Sequence, residues 1–280
     1  MAQGVLWARF RRDRWFQAGL GLVGLVVLAA LLAPWLAPFD PITGDLRNAY
    51  LLGPGGRYLL GTDAQGRDVL SRVLYGARLS ISVGLISQAV AAALGVTLGL
   101  LSGYYGRWVD ALVMRLADVT LAFPTLLLLI AVAAAVSPSL PTVFVVIGVV
   151  GWAGMARLVR SQILVLRSSE YVLAARALGA PDRRVLLRHL LPNVRNQVII
   201  AATLGIAGAI MAEAALSFVG LGAQPPTPSW GAMVADGRDL LRVAPWVSFA
   251  PGLAIGAAVL GFNLVGDGLR EALDPRRGSP

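Results

Sequence analysis

Long stretches without a charged residue are the feature that most constrains how this chain can fold. They cover Trp15–Phe39, Leu79–Gly106, Val119–Ala156, Asn196–Ala212 and Val243–Gly266. A helix needs about 20 apolar residues to cross the ~30 Å hydrocarbon core of a bilayer, so most of these stretches can span a membrane. Val119–Ala156 is long enough for two spans, and residues 137–141 (Ser-Pro-Ser-Leu-Pro) predict a tight turn between them. Asn196–Ala212 is short, but it can extend past Glu213 through Ala214–Val219.

The pattern therefore predicts an all-α, polytopic membrane protein with six transmembrane helices. The expected divisions are an N-terminal segment (1–15), a first transmembrane helix (16–37), an extracytoplasmic segment (38–78), a five-helix core (79–266) that includes a cytoplasmic loop (157–195), and a tail (267–280). The first apolar run has 25 residues, more than the apolar region of a signal peptide. We expect it to remain as an uncleaved span.

The placement of arginine predicts the orientation. The net charge is +9, and all 24 basic residues are arginine. Most of them fall in the two terminal segments and in alternate loops: Arg9, Arg11, Arg12, Arg14, Arg107, Arg115, eight from Arg157 to Arg195, Arg270, Arg276 and Arg277. Because cytoplasmic loops carry the excess of arginine, both termini are predicted to be cytoplasmic. The same distribution argues against nucleic acid as a partner.

Missing residue types exclude several chemistries. The chain contains no lysine, so it cannot form a phosphate-binding loop of the Gly-x-x-x-x-Gly-Lys type. If ATP drives this protein, another polypeptide must bind the ATP and its Mg²⁺. There is no cysteine and His189 is the single histidine, which argues against a zinc site and a Cys–His nucleophile pair. We therefore expect no metal site, cofactor or catalytic residue in this chain.

Glu213 is the exception within spans that hold almost no ionisable residues. An ionisable residue inside the membrane is a candidate for a transport pathway. Glu213 can mark such a pathway, or it can lie at the interface paired with an outer arginine; the sequence leaves both open. A stand-alone carrier or channel would need more polar residues along the spans.

Two outer segments carry features of their own. Val69, Leu70, Val73 and Leu74 recur at helical spacing, which indicates either an interfacial helix on the membrane or part of an outer vestibule. Trp230 follows a loop dense in proline and glycine, and indoles are typical of the membrane–water interface.

Small residues lie on the inner half of the second span, and a charged turn is expected after it. Gly95, Gly99 and Gly103 recur every four residues and predict close packing of one helix face. Residues 104–118, which contain two arginines and two aspartates, are expected to form a short inner turn before the third span.

The arginine-rich segment 157–195 contains ordered helix signals. Ser168 and Ser169 can cap a helix that begins at Glu170, and Gly179 with Pro181 marks its end, which predicts a short helix over 170–178. Ala174 and Ala175 would let this helix enter a groove on another protein. A second helix is expected after Pro181, with Pro192 and Asn193 resetting the backbone before span five. A solvated basic loop would explain the arginines but not these signals.

This segment resembles the cytoplasmic motif of binding-protein-dependent ABC importer permeases. Leu173-Ala174-Ala175, Gly179, and the run His189-Leu190-Leu191-Pro192 occupy its positions, with Leu173 and His189 as departures from the general pattern. Those departures resemble the dipeptide/oligopeptide/nickel subfamily. So do two further stretches, 61–69 and 213–231, and the resemblance is to the second of its two permease types.

The resemblance implies a type I ABC importer permease (MetI-like) fold in the cell (inner) membrane. Its partners would be a second, homologous permease in a heterodimer, cytoplasmic ABC ATPase subunits that bind ATP and Mg²⁺, an extracytoplasmic solute-binding protein and membrane lipid. The expected ATPase-coupling residues are Glu170, Tyr171, Ala174, Ala175, Arg176, Gly179, Leu191 and Pro192. Candidate outer vestibule or gate residues are Asp63, Arg67, Asp68, Glu213, Ser217 and Trp230.

The cargo implied by the resemblance is a dipeptide or oligopeptide. Glutathione and a nickel chelate remain alternatives, because permeases of this kind carry all of them. A stand-alone secondary carrier or channel is the alternative from a different class. An intramembrane enzyme has no catalytic set to support it.

Overall fold

A computed structural model describes residues 13–136 and 139–273. In that part of the chain the backbone forms helices joined by irregular segments, with two isolated β-bridges and no strand. The predictions for Arg9, Arg11, Arg12, Arg276 and Arg277, and for the first two residues of the 137–141 turn, fall outside the described residues. So does the second half of the predicted tail, residues 274–280.

Ten α-helices follow one another along the described chain. They are α1 (Arg14–Leu36), α2 (Val69–Tyr105), α3 (Arg107–Ala122), α4 (Thr125–Ala134), α5 (Leu140–Leu166), α6 (Glu170–Ala177), α7 (Asp182–Arg184), α8 (Leu191–Phe218), α9 (Trp230–Gly237) and α10 (Trp246–Leu273). A π-helical turn, Val185–Leu190, joins α7 to α8, and a short 3₁₀ turn, Arg238–Leu240, follows α9. Five helices are long and apolar enough to cross a membrane, and the bent pair α3–α4 makes six. The predicted all-α, polytopic architecture is confirmed, and the six predicted spans are reached when α3 and α4 count as one span.

The third span is bent. Residues 107–122, which include most of the predicted inner turn, form helix α3 instead, and α4 leaves it at an angle of 93°. Phe123 has extended backbone angles at the break, as expected for the residue before a proline, and Pro124 cannot donate a helical hydrogen bond. The charged residues of this stretch lie on a helix and not on a turn.

The second span begins earlier than predicted. Helix α2 has 37 residues, about 55 Å at 1.5 Å per residue, so it extends beyond the hydrocarbon core. The Asp68 carboxylate caps it by accepting from the Ser71 N–H at 2.7 Å. Residues 69–78 are thus the first turns of α2 and not a separate interfacial helix. The apolar face that suggested a membrane surface packs against the protein, where Val69 and Ala77 are buried.

The fifth span also starts before its predicted boundary. Helix α7, the π turn and α8 form one apolar helical unit from Asp182 to Phe218. Pro192 does not reset the backbone as predicted. The chain instead widens into the π turn, where the Leu191 N–H reaches back five residues to the Leu186 carbonyl. A wider turn accommodates the hydrogen bond that Pro192 cannot donate.

Glycine contacts bring the spans close together. A Cβ added at Gly95, Gly99 or Gly103 would lie 2.5–2.8 Å from side-chain atoms of α5, including those of Met155 and Ile163. The predicted close packing of this α2 face is confirmed, because any larger residue there would push α5 away. First-span helix α1 packs in the same manner on α10.

Candidate functional site

Helix α6 forms where the sequence predicted a short helix. It spans Glu170–Ala177 and ends in a left-handed Gly179 with φ of +77°. The Gly179 N–H donates to the Arg176 carbonyl at 2.9 Å, and the Ala180 N–H donates to the Ala175 carbonyl at 3.0 Å. These two bonds are the Schellman arrangement, so the predicted stop signal is confirmed. The predicted serine cap is wrong, because the Ser169 hydroxyl donates backwards to the Leu166 carbonyl.

One side chain anchors α6 to the bundle. Val172 is fully buried in an apolar cluster supplied by α2, α5, the π turn and α8. Ile163 and Leu190, both fully buried, belong to this cluster. A displacement of α6 would therefore be transmitted to three membrane-spanning segments, α2, α5 and α8, since close-packed interiors transmit strain.

The opposite side of α6 leaves apolar residues in solvent. Leu178 is 89% exposed and Leu173 51% exposed, and beside them Ala174 is exposed and Ala175 half-buried. We call these four residues the α6 outer face. An exposed apolar patch at a helix end, rimmed by charged residues, is typical of a protein–protein contact.

Tyr104 of α2 contacts both α6 and α7. The Tyr104 hydroxyl, at the end of α2, donates to the Asp182 carboxylate of α7 at 2.6 Å. The Arg176 guanidinium of α6 lies 5.1 Å from the centroid of the Tyr104 ring, within range of a cation–π contact. Sequence reasoning missed Tyr104, since no local signal distinguishes it from Tyr105. Of the predicted coupling residues, Arg176 alone takes part in this link.

The remaining predicted coupling residues occupy different positions. Glu170 is exposed at the start of α6, and the Tyr171 ring lies 6.4 Å from the His189 ring of the π turn. Leu191 is half-buried and Pro192 is exposed where α8 begins. His189, which departs from the general motif, therefore lies beside α6 and Tyr171.

Several arginines of segment 157–195 hold the helices together instead of forming a free basic surface. Helix α5 continues to Leu166, so Arg157 and Arg160 belong to that helix and not to a loop. Arg160 makes a two-pronged ion pair with Asp110 of α3, and Arg157 pairs with Asp118. Paired in this way, α3 and α5 are tied together at the end of the bundle that carries α6.

At the other end of the bundle, charged residues surround the start of α2. Asp63 accepts from the Arg67 Nε at 2.7 Å and lies 3.5 Å from the Arg72 Nε, and both Asp63 and Arg72 are buried. Asp236 of α9 lies 3.8 Å from Arg67, and burial raises the pKa of Asp236 above its ordinary value. Asp68 caps α2, as described above. The three predicted outer residues Asp63, Arg67 and Asp68 thus lie in one segment that contacts both α2 and α9.

Glu213 is buried among hydroxyl groups. Its carboxylate accepts from Ser217 at 2.6 Å, from Ser229 at 2.8 Å and from Ser80 at 3.4 Å. Glu213 is 1% exposed, and within the described residues no arginine pairs with it. Of the two sequence interpretations, pairing with an outer arginine is therefore wrong. The serines come from α2, α8 and the start of α9, so Glu213 holds these three elements together.

Trp230 is part of the same arrangement. Its side chain is 1% exposed, packs on Gly76 and donates from the indole N–H to the Val73 carbonyl at 2.9 Å. It is therefore a core residue between α2 and α9 and not an anchor at the membrane interface. The loop 219–229 connects α8, which carries Ser217, to Trp230 at the start of α9.

Comparison with known proteins identifies the family. Residues 95–279 match the family described as "binding-protein-dependent transport system inner membrane component". The chain belongs to this family. Residues 4–54 also match the "N-terminal TM domain of oligopeptide transport permease C". The protein is thus a permease component of an ABC importer in the dipeptide/oligopeptide family, a multi-pass protein of the inner membrane, as the motifs implied.

Relatives cover almost all of this permease. A dipeptide transport system permease protein DppC of Alkalihalophilus pseudofirmus is 45% identical over 92% of this chain and 86% of the relative. That of Haemophilus influenzae is 43% identical over 96% and 93%. A glutathione transport system permease protein GsiD of Escherichia coli O6:K15:H31 is 43% identical over 96% and 89%.

A solved structure supports the fold of the permease. The MetNI methionine ABC transporter, in inward-facing conformations, has a chain that aligns with a TM-score of 0.57 and 20% identity, covering 72% of this chain and 97% of that chain. The predicted MetI-like fold is confirmed at the level of architecture.

Proposed function

We propose that this permease is one of two homologous transmembrane subunits of a peptide importer. A second permease would pair with it, cytoplasmic ATPase subunits would bind ATP and Mg²⁺, and an extracytoplasmic binding protein would deliver the peptide. The α6 outer face is the observation that carries the proposal. Exposed apolar residues on a helix anchored by Val172 fit a contact with a separate ATPase, and the chain has no lysine with which to build its own phosphate-binding loop.

The end of the bundle that carries α6 would face the cytoplasm, with both termini on the same side. The arginines between α5 and α8 support this orientation, because cytoplasmic loops carry the excess of positive charge. The charged segment around Asp63 and the loop after Glu213 would then face the binding protein.

Transport would proceed by alternating access. Closure of the ATPases would displace α6, and Val172 together with the Tyr104 link would pass the displacement to α2, α5 and α8. Helices that are bonded at both ends move as units, so the bundle would rock between inward-facing and outward-facing states. The buried Glu213 cluster would keep α2, α8 and α9 together at the outer end during this motion, which gives Glu213 a role as a gate support.

Peptides are the proposed cargo, because two dipeptide permeases are among the relatives that cover nearly the whole chain. Glutathione is the second candidate, since the glutathione permease is similar to the same extent. A nickel chelate has less support. No group of three or more histidine, aspartate or glutamate side chains in the described part of the chain is placed to hold a metal ion.

Reconstitution of the importer tests the proposal. The permease, its partner permease, the ATPases and the binding protein are placed in proteoliposomes, and uptake of a labelled dipeptide is measured with and without ATP. We expect uptake that needs every component and that unlabelled dipeptides suppress. If only glutathione suppressed the uptake, glutathione would replace the dipeptide as the proposed cargo. Uptake by this chain alone, without ATP, would instead identify a stand-alone carrier and contradict the proposal.

A further inference from the structure

An apolar groove opens at the arginine-rich end of the bundle. It has a volume of about 320 Å³ and lies between the last turns of α2 (96–105) and the helical unit that begins at α7 (183–191). We call it the inner groove. Its floor is formed mainly by leucine and valine, including Leu101 and Leu187, and Leu187 is 48% exposed. Exposed apolar side chain therefore extends from the groove onto the surface of the bundle.

One cation lies among the groove's apolar residues. Arg183 lines the groove and is exposed, and no ion pair joins it to a carboxylate within the described ranges. Its neighbour Asp182 accepts from the Tyr104 hydroxyl. An arginine without a carboxylate partner at the end of an apolar groove matches a phosphate attached to a hydrocarbon chain.

The groove reaches the end of a membrane-spanning helix. It begins at Val96 within α2 and ends at Tyr105, the last residue of that helix, whose partly exposed ring lines its rim. Tyrosine and arginine at the end of a membrane-spanning helix are typical of the interface between hydrocarbon and water. A ligand that enters from lipid would place its chain along Thr97 and Leu101 and its head group beside Arg183.

We infer that the inner groove binds an anionic phospholipid. One acyl chain would lie between α2 and the helical unit that begins at α7, and the phosphate would bind the Arg183 guanidinium. The lipid would then occupy the space between two helices that Tyr104 and Asp182 join. The inference rests on the proposed orientation only in naming the cytoplasmic leaflet as the source of the lipid, and binding itself does not depend on transport.

Photo-cross-linking tests this site directly. The assembled importer is placed in nanodiscs that contain a small fraction of phosphatidylglycerol with a photoreactive group in its acyl chain, and labelled peptides are mapped by mass spectrometry. Phosphatidylethanolamine with the same group is the reference lipid. We expect peptides that contain 96–105 and 183–191 to be labelled about fivefold more by phosphatidylglycerol, the factor expected for one arginine near an anionic head group.

Three variants separate the contributions. Arg183→Gln should make the two lipids equal, and Thr97→Phe should reduce labelling by both because the ring fills the groove. Arg184→Gln is the matched control, since Arg184 is exposed in the same turn but does not line the groove, and it should leave the preference unchanged. An excess of inorganic phosphate should not displace the lipid.

Four results would overturn the inference. Equal labelling of the wild-type groove by both lipids would show that the groove does not prefer the anionic lipid. Equal effects of the two arginine variants would show that the preference comes from diffuse surface charge and not from Arg183. Loss of labelling with inorganic phosphate would indicate a site for free phosphate. Absence of groove labelling by either lipid would mean that another subunit covers it. Dipeptide uptake by the wild-type complex, measured in parallel, tests the proposed function separately.

Discussion

Tyr104 and Asp182 are 78 positions apart in the chain and share a 2.6 Å hydrogen bond at the arginine-rich end of the bundle. The bond fixes the end of α2 to the start of the helical unit that becomes the fifth span. Arg176 of α6 lies against the same tyrosine ring, so this one side chain of α2 contacts both α6 and α7. The three elements must move together if α6 receives force from an ATPase.

Removal of the Tyr104 hydroxyl should weaken this link. A hydrogen bond to a charged group contributes about 1.5–3 kcal/mol, so Tyr104→Phe should loosen α7 from α2 while the ring contact with Arg176 remains. We expect a severalfold lower ratio of peptide uptake to ATP hydrolysis in proteoliposomes. Tyr105→Phe is the control, and equal ratios for both variants and the wild type would remove Tyr104 from the coupling path.

Gly179 should resist substitution for a backbone reason. A Cβ at this position would meet no atom within 4 Å, but φ is +77°, a conformation that costs an alanine about 1–2 kcal/mol. Gly179→Ala should therefore shift the end of α6 and lower uptake without lowering the amount of folded permease. Gly21→Ala, in a helix and also without close neighbours, should leave uptake unchanged. Full activity of the Gly179 variant would show that the α6 end does not need this conformation.

Glu213 should stabilise the outer end of the bundle. Glu213→Ala leaves the buried Ser217 and Ser229 hydroxyls without their acceptor, at a cost of about 1–3 kcal/mol for each unpaired group. The midpoint of thermal unfolding of the detergent-solubilised importer should fall. Glu213→Gln keeps an acceptor oxygen and should lose less. A stability unchanged in the alanine variant would contradict the role of Glu213 as a support for α2, α8 and α9.

The Asp63–Arg72 contact should matter more than an exposed ion pair. Both side chains are about 5% exposed, so Asp63→Asn leaves a buried guanidinium without its charge partner, a change that costs about 3–5 kcal/mol in typical buried pairs. Asp239, which is 83% exposed beside Arg238, provides the control. Asp239→Asn should leave thermal stability unchanged. Equal stability of the two variants would mean that Asp63 is not needed to neutralise Arg72.

Local signals in the sequence predicted much of this architecture. The apolar runs predicted the six spans because burial in lipid depends mainly on local composition, and Gly179 predicted the end of α6 because a left-handed residue favours glycine. The glycines from Gly95 to Gly103 likewise correctly predicted a close-packed face of α2.

The failures have a common physical cause. Whether residues 69–78 lie on lipid or protein depends on Trp230, which donates to the Val73 carbonyl from 157 positions away. Glu213 takes one of its donors from Ser80, 133 positions away, and Tyr104 finds Asp182 in a similar manner. Such long-range contacts leave no periodic signal in the sequence around the residues that make them.

In the proposed mechanism, the α6 outer face is the contact through which an ATPase drives this permease. The wild-type chain has no cysteine, so Ala175→Cys introduces a single thiol on that face, and Thr43→Cys introduces one on the exposed outer segment. A thiol-anchored photo-cross-linker is attached to each variant in the assembled importer, and the cross-linked subunits are identified by mass spectrometry. We expect position 175 to capture the ATPase and position 43 not to capture it. If the cross-linker at position 175 reacted only with lipid or solvent, the result would contradict a contact between the α6 outer face and the ATPase.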